Sequence, residues 1–222
     1  ALTYARPASL AEALEHRARG ADVIAGATDI YPALVPGIDG TRAPRRPDAV
    51  LDLLGIGALR GIERREREIR LGATTTWTEI AEAHLPPPLR CLQLAAREVG
   101  GRQIQNRGTI GGNLVNASPA ADGVPPLLAL DAEVELQSVR GTRRLPVGAF
   151  VTGPRTTLLA PDELLTAVIL PVTQRRARAT FLKLGARRYL VISIVMVAAV
   201  VETERGRVAA ARIAVGAASP VA

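Results

Sequence analysis

The chain has one cysteine, one methionine, one tryptophan and a single lysine, and aromatics make up only 3% of its 222 residues. Each scarcity excludes something. With Cys91 alone, no disulfide closes within the chain, and this chain by itself holds no iron–sulfur cluster or cysteine-rich zinc site. A reducing, cytoplasmic setting fits that usage. The two histidines, His16 and His84, sit at the ends of helical stretches, and no metal-cluster spacing or Ser/His/Asp or Cys/His constellation exists around them. The net charge is +7, almost all of it arginine, but the arginines are scattered and the aromatics that stack bases are absent. Nucleic acid is therefore not expected, and a basic surface or a docking face for an acidic or phosphate-bearing partner is. No apolar run reaches the roughly 20 residues of a membrane-spanning helix. The longest, Tyr189 to Val201, is rich in β-branched residues, and Ala1 to Leu10 lacks the pattern of a signal peptide.

What is present is a globular composition, 48% apolar and 22% charged, whose core is built from Leu, Val, Ile and Ala. Ser9 to Glu12 is a capping box before a helix that Gly20 stops. Val23-Ile24-Ala25 and Ala49 to Leu53 are apolar strands, so residues 1–55 form a small βαβ lobe. Period-two alternation over Arg60 to Gly72 predicts a hairpin with one wet face. Thr76 to Glu79 caps a helix reaching about Ala83, and a second helix covers Leu89 to Val99. Antiparallel strands follow at Ala132 to Gln137, Arg143 to Val147 and Leu164 to Leu170, completing a larger lobe over residues 56–175. From residue 176, Thr180 to Leu184, Ile192 to Val201 and Val208 to Val215 predict a meander on a new sheet. No helix follows to cover it, so either the chain is a fragment or a partner covers that face.

Two glycine loops carry the candidate chemistry. The first runs Ile24, Ala25, Gly26, Ala27, Thr28, Asp29 and Ile30; the second includes Gly108, Thr109, Gly111, Gly112, Asn113 and Asn116 and trails to Asp122. A diphosphate takes several donors at close range, and backbone N–H groups supply them where no side chain blocks the approach. Gly26, Gly111 and Gly112 offer that access, Thr28, Thr109 and Asn113 add side-chain donors, and a helix start after Asp29 adds a favourable dipole end. Neither loop is a Walker or Rossmann fingerprint, and both also fit tight turns between buried strands.

The first loop resembles the Ala-Gly-Gly-Thr-Asp loop of the FAD-binding subunits of molybdenum hydroxylases of the xanthine dehydrogenase family, medium subunits of the carbon monoxide dehydrogenase kind included. The second resembles their Thr-Ile-Gly-Gly-Asn loop. Tyr4 to Leu14, Asp162 to Thr166 and Lys183 to Arg188 are similar to further segments, in the family's order. The resemblance implies an α+β fold: a PCMH-type two-lobed FAD-binding domain, then the start of a smaller α+β C-terminal domain that the family continues with a helical bundle. It implies FAD with its diphosphate between the two loops, Asp122 on a ribose hydroxyl, Leu165 against the flavin or adenine, and Lys183 near the isoalloxazine ring. It also implies partners: a large molybdopterin subunit, a small iron–sulfur subunit, and NAD or another electron acceptor. No His or Cys lies in either loop, so no covalent flavin link is expected. Ala27 departs from the family's glycine, and it holds the turn if its φ is negative. On the residues alone, Asp122 also fits a cap for a Val124 to Leu130 helix, Lys183 a surface charge and Leu165 plain core. Two rival readings stand beside this one, a free-standing PCMH-group FAD oxidoreductase and a flavin-free structural subunit.

Overall fold

The computed structural model describes residues 2–30, 47–173 and 175–222. Three larger sheets follow one another along the described residues. The first is parallel: β1 (Thr3–Ala5) and β2 (Asp22–Ile24) flank β3 (Ala49–Asp52), with α1 (Leu10–Ala18) crossing between β1 and β2. Ser9 accepts from the Glu12 backbone N–H at 3.3 Å and so begins α1. Ala13, Ala21, Leu51, Leu53, Ile56, Leu59 and Leu164 form a compact core beneath this lobe. The Ile30 to Leu34 segment expected after the first loop lies, beyond Ile30, outside the described residues.

The second sheet has five antiparallel strands. β4 (Ile62–Arg64) and β5 (Glu68–Gly72) form the expected hairpin; β6 (Glu133–Ser138), β7 (Gly141–Pro146) and β10 (Leu164–Pro171) complete the order β4-β5-β10-β6-β7. A short ribbon of β8 (Val151–Gly153) and β9 (Thr156–Thr157) precedes β10. Central β10 is buried along its whole length up to Pro171, which is why it reads as an unbroken apolar run rather than an alternation. A register shift between Leu165 and Ala167 marks a bulge against β6.

Six helices belong to this middle region: α2 (Trp77–Glu82), α3 (Arg90–Glu98), α4 (Arg102–Gln105), α5 (Ile110–Asn116), α6 (Val124–Ala129) and α7 (Val147–Phe150). The Thr76–Glu79 capping box at the head of α2 is complete in both directions. Trp77, Ile80, Leu92, Ile110, Leu114 and Leu127 are fully buried in one large core, each apolar side chain contributing about 2 kcal/mol of burial. Cys91 is part of that core, and burial pushes its thiol up to about 12, so it carries no thiolate chemistry at neutral pH.

The meander forms the third sheet, β11 (Arg176–Leu184), β12 (Val195–Glu204) and β13 (Arg207–Gly216). Its strands β11 and β13 run longer than the sequence pattern indicates, and Ile192 to Ile194 lie outside β12. One face packs Phe181, Met196, Ala198 and Val200 onto α3 and α6. On the other, Leu182 and Ile213 are exposed.

Candidate functional site

One cavity of about 560 Å³ runs between the first lobe and the second, within the size range of small-molecule and cofactor sites. Residues 25–30 of the first loop, Gly108, Thr109, Gly111, Gly112, Asn113, Asn116, Asp122 and Leu165 all line it. Of the residues singled out in the sequence, Ile24 and Lys183 do not.

The first loop leaves the C-terminal end of β2, where the parallel sheet opens. Its backbone is unusual in one respect. No described residue accepts a hydrogen bond from the N–H groups of Ala25, Gly26, Ala27 or Thr28, and none among the described residues partners the Thr28 hydroxyl. Four successive unspent donors thus lie in a segment that lines the cavity, a donor pattern that suits an anion. Ala27 sits at φ 58, not at the negative φ expected of an alanine here. That left-handed conformation costs a non-glycine residue about 1–2 kcal/mol, and its persistence marks a loop whose shape is imposed by its surroundings.

The second loop differs from a plain turn. Residues Ile110 to Asn116 form helix α5, so Gly111 and Gly112 occupy its first turn. Their N–H groups are already spent: Ile110 donates to the Thr75 carbonyl at 3.0 Å and Gly111 to the Ala73 carbonyl at 2.9 Å. Gly112 donates to Thr109 Oγ1 at 3.1 Å. The N–H groups of Gly111 and Gly112 thus already have partners within the chain, while those of the first loop do not. The glycines serve close approach instead. A Cβ on Gly26 would lie 1.9 Å from the Arg107 carbonyl oxygen, and one on Gly111 2.7 Å from the Ala73 carbonyl oxygen. The missing side chain at Gly26 lets the first loop meet the head of the second, and the one at Gly111 lets α5 sit against the backbone that follows β5.

Asn113 faces the cavity with its amide unspent. Its Oδ1 is buried without a partner, and no described residue accepts from its Nδ2. A buried orphan acceptor is costly unless something else fills its valence. Asn116 ties the parts together, donating through Nδ2 to Asp29 Oδ1 at 2.7 Å and accepting from Arg155.

Asp122 does not cap the helix after it; α6 has no side-chain cap. Its Oδ2 accepts from Lys183 Nζ at 2.7 Å and its Oδ1 from Ser193 Oγ at 2.7 Å. Each oxygen keeps a second lone pair for the cavity. Lys183 is buried too, and also donates to the Glu98 carbonyl at 3.1 Å, so it is not a surface charge. It stands behind Asp122 and joins the third sheet to the cavity wall. Leu165, at the bulge in β10, is buried and presents its side to the cavity.

Sequence reasoning missed Trp77, Arg17, Ile104 and Leu159, which also line the cavity. Trp77 is the only tryptophan, and that was the available signal; Arg17 gave none, being one arginine among many on an amphipathic helix.

The residues fit FAD: a cavity of cofactor size, a run of neutral donors, an unpaired amide and apolar lining residues. Comparison with known proteins points the same way. Residues 1–173 match the family described as the FAD binding domain in molybdopterin dehydrogenase. The nicotinate dehydrogenase FAD-subunit of Eubacterium barkeri is 39% identical over 178 residues, covering 78% of this chain and 58% of that protein. The xanthine dehydrogenase FAD-binding subunit of Escherichia coli O157:H7 is 34% identical over 227 residues, 98% of this chain and 74% of that one. Among solved structures, a carbon monoxide dehydrogenase from Hydrogenophaga pseudoflava superposes with a TM-score of 0.90 at 25% identity, covering 99% of this chain and 76% of that chain. Quinoline 2-oxidoreductase from Pseudomonas putida 86 gives 0.86 at 28% identity, over all of this chain and 75% of that one. The chain thus spans between about half and three quarters of the length of these relatives.

Proposed function

Because this chain belongs to the FAD-binding domain family of molybdopterin dehydrogenases, we propose that it is the flavin-carrying electron-transfer subunit of a multi-subunit molybdopterin-dependent hydroxylase or dehydrogenase. On this reading a large subunit holds the molybdopterin and oxidises the substrate. A small subunit relays electrons through iron–sulfur clusters to the FAD on this chain, and NAD or another acceptor takes them away. The relatives' complexes support the partners, and the single cysteine supports placing the clusters elsewhere. No helix of the described residues is long and apolar enough to cross a membrane, and a cytoplasmic location is part of the proposal.

The observation that carries the reading is the run of unspent N–H groups from Ala25 to Thr28, in a segment that lines the same cavity as α5. These groups bind the diphosphate. Thr28 and Asn113 add side-chain contacts, and Asp122 accepts from a ribose hydroxyl with its remaining lone pairs. Gly108 and Thr109 shape the opposing wall. Asn116 and Asp29 hold the two loops at fixed separation, and Leu165 packs on a ring face. Lys183 acts through Asp122, holding that carboxylate in place. When bound, FAD supplies the electron acceptance and release that no side chain here provides. This chain contributes no acid, base or nucleophile to the reaction; its residues bind, orient and exclude water.

The test is a visible absorption spectrum of the chain purified with its partners, the flavin then released and identified by chromatography. A yellow protein yielding FAD, with iron–sulfur and molybdenum in the complex, is the expected result. A colourless chain that stays colourless on incubation with FAD refutes the assignment.

A further inference from the structure

The donors at Ala25 to Thr28 sit in a loop that, among the described residues, one side-chain hydrogen bond holds: Asp29 Oδ1 accepts from Asn116 Nδ2 at 2.7 Å. Asp29 is out of place by charge. A carboxylate next along the chain from donors that suit an anion repels that anion, so its presence calls for another use, and anchoring the loop is one. Its partner is held in turn. Arg155 Nη1 donates to Asn116 Oδ1 and, at 3.3 Å, to the Asn116 carbonyl. The Asn116 amide therefore lies between a cation and a carboxylate. That fixes its orientation, with Oδ1 to the guanidinium and Nδ2 to the carboxylate. Turned over, it would set donor against donor and acceptor against acceptor.

Arg155 belongs to neither glycine loop. It lies in the turn between β8 and β9 at φ 58, a left-handed conformation that glycine adopts freely and a residue with a side chain does not. Its backbone N–H donates to the Ala117 carbonyl at 2.8 Å, which docks the turn on the end of α5, where Ala117 is itself left-handed at φ 44. An arginine kept in a glycine conformation, with its guanidinium on Asn116, marks a turn shaped for what that side chain does. We propose that Arg155 is the positioning residue of the diphosphate loop: through Asn116 it anchors Asp29, and so keeps the Ala25 to Thr28 donors in place. The proposal rests on the FAD reading and goes beyond it, giving the β8–β9 turn a share in retaining the cofactor without touching it.

The experiment uses the full chain loaded with FAD and reads the rate at which the flavin is released. Arg155→Ala removes the guanidinium and keeps a side chain at the same φ. Asp29 and Arg155 are both exposed, so the effect is moderate: about fivefold faster release is expected, with Arg155→Lys recovering part of it. Asn116→Ala should release FAD at least as fast. The double variant should be no faster than Asn116→Ala alone, because the arginine acts through that amide. Unchanged release from Arg155→Ala overturns the proposal. So do losses that multiply in the double variant, the pattern of an arginine that merely stiffens the fold. If the unaltered chain takes up no FAD, the flavin reading itself fails, an outcome separate from the failure of Arg155.

Discussion

A methyl group added at Gly26 tests the two-loop architecture directly. The Cβ of Gly26→Ala would fall 1.9 Å from the Arg107 carbonyl oxygen and 2.6 Å from its carbon. Van der Waals contact requires about 3.5 Å, so the loops must part by roughly 1.5 Å. The second loop has little room to yield. Trp77 donates to the Gly108 carbonyl at 3.2 Å, Ile110 to the Thr75 carbonyl at 3.0 Å, and Gly108 itself back to Ile104 at 2.6 Å. The displacement therefore falls on the first loop, whose N–H groups from Ala25 to Thr28 are held in place by no such bonds. Overpacking of this kind costs about 1–3 kcal/mol, which for a chain of this size lowers the unfolding midpoint by about 2–10 °C. Moving a donor array by more than an ångström costs at least about tenfold in FAD affinity. Differential scanning calorimetry and flavin titration read the two effects. A Gly26→Ala protein with unchanged midpoint and unchanged FAD affinity would show that the loops do not meet, and the cavity as described would be wrong.

Ala27→Gly should act in the opposite sense. Relief of the left-handed alanine is worth about 1–2 kcal/mol and the added chain entropy of glycine costs about 0.5–1, so the midpoint rises by about 1–3 °C; a fall would mean that Ala27 does not hold φ 58. Lys183→Met strands the Asp122 carboxylate with Ser193 alone and should cost about 3 kcal/mol in urea unfolding. Adding Asp122→Asn should recover part of that, and strictly additive costs would refute the coupling. Arginine partners hold three carboxyls below the ordinary 4.5: Arg144 for Glu68, Arg143 for Glu163 and Arg212 for Glu202. Because their folded pKa values lie below the unfolded ones, the stability they give is complete above about pH 4.5 and is lost as the pH falls below it. Arg143→Ala should flatten that acid limb, and an unchanged acid-unfolding curve would count against the Glu163 pairing.

Much of the molecule was legible in the chain because its signals are local. The capping box at Thr76, the period-two hairpin before Gly72, the unbroken apolar run of β10 and each strand of the meander after residue 176 are written in short stretches of chain. Each is decided by sterics and burial that neighbours along the chain already specify. The two loops were legible as well, through their glycines and their resemblance to a known family.

What the glycines were for was not legible. Gly26 and Gly111 are demanded by the Arg107 and Ala73 carbonyls, atoms 81 and 38 positions away, and only the closed fold brings them there. The same holds for the helix that consumes the Gly111 and Gly112 donors, for the positive φ of Ala27, and for the pairing of Lys183 with Asp122 across 61 residues. Arg17 is the plainest case. Its helix was predicted from a Ser-to-Glu box, yet its place at a cavity wall depends on Glu163, the residue before β10, 146 positions later. Sequence fixes which backbone conformations and which apolar faces are available, because those energies are local. Which donors remain unspent and face a ligand depends on contacts between distant segments, and that only the tertiary structure decides.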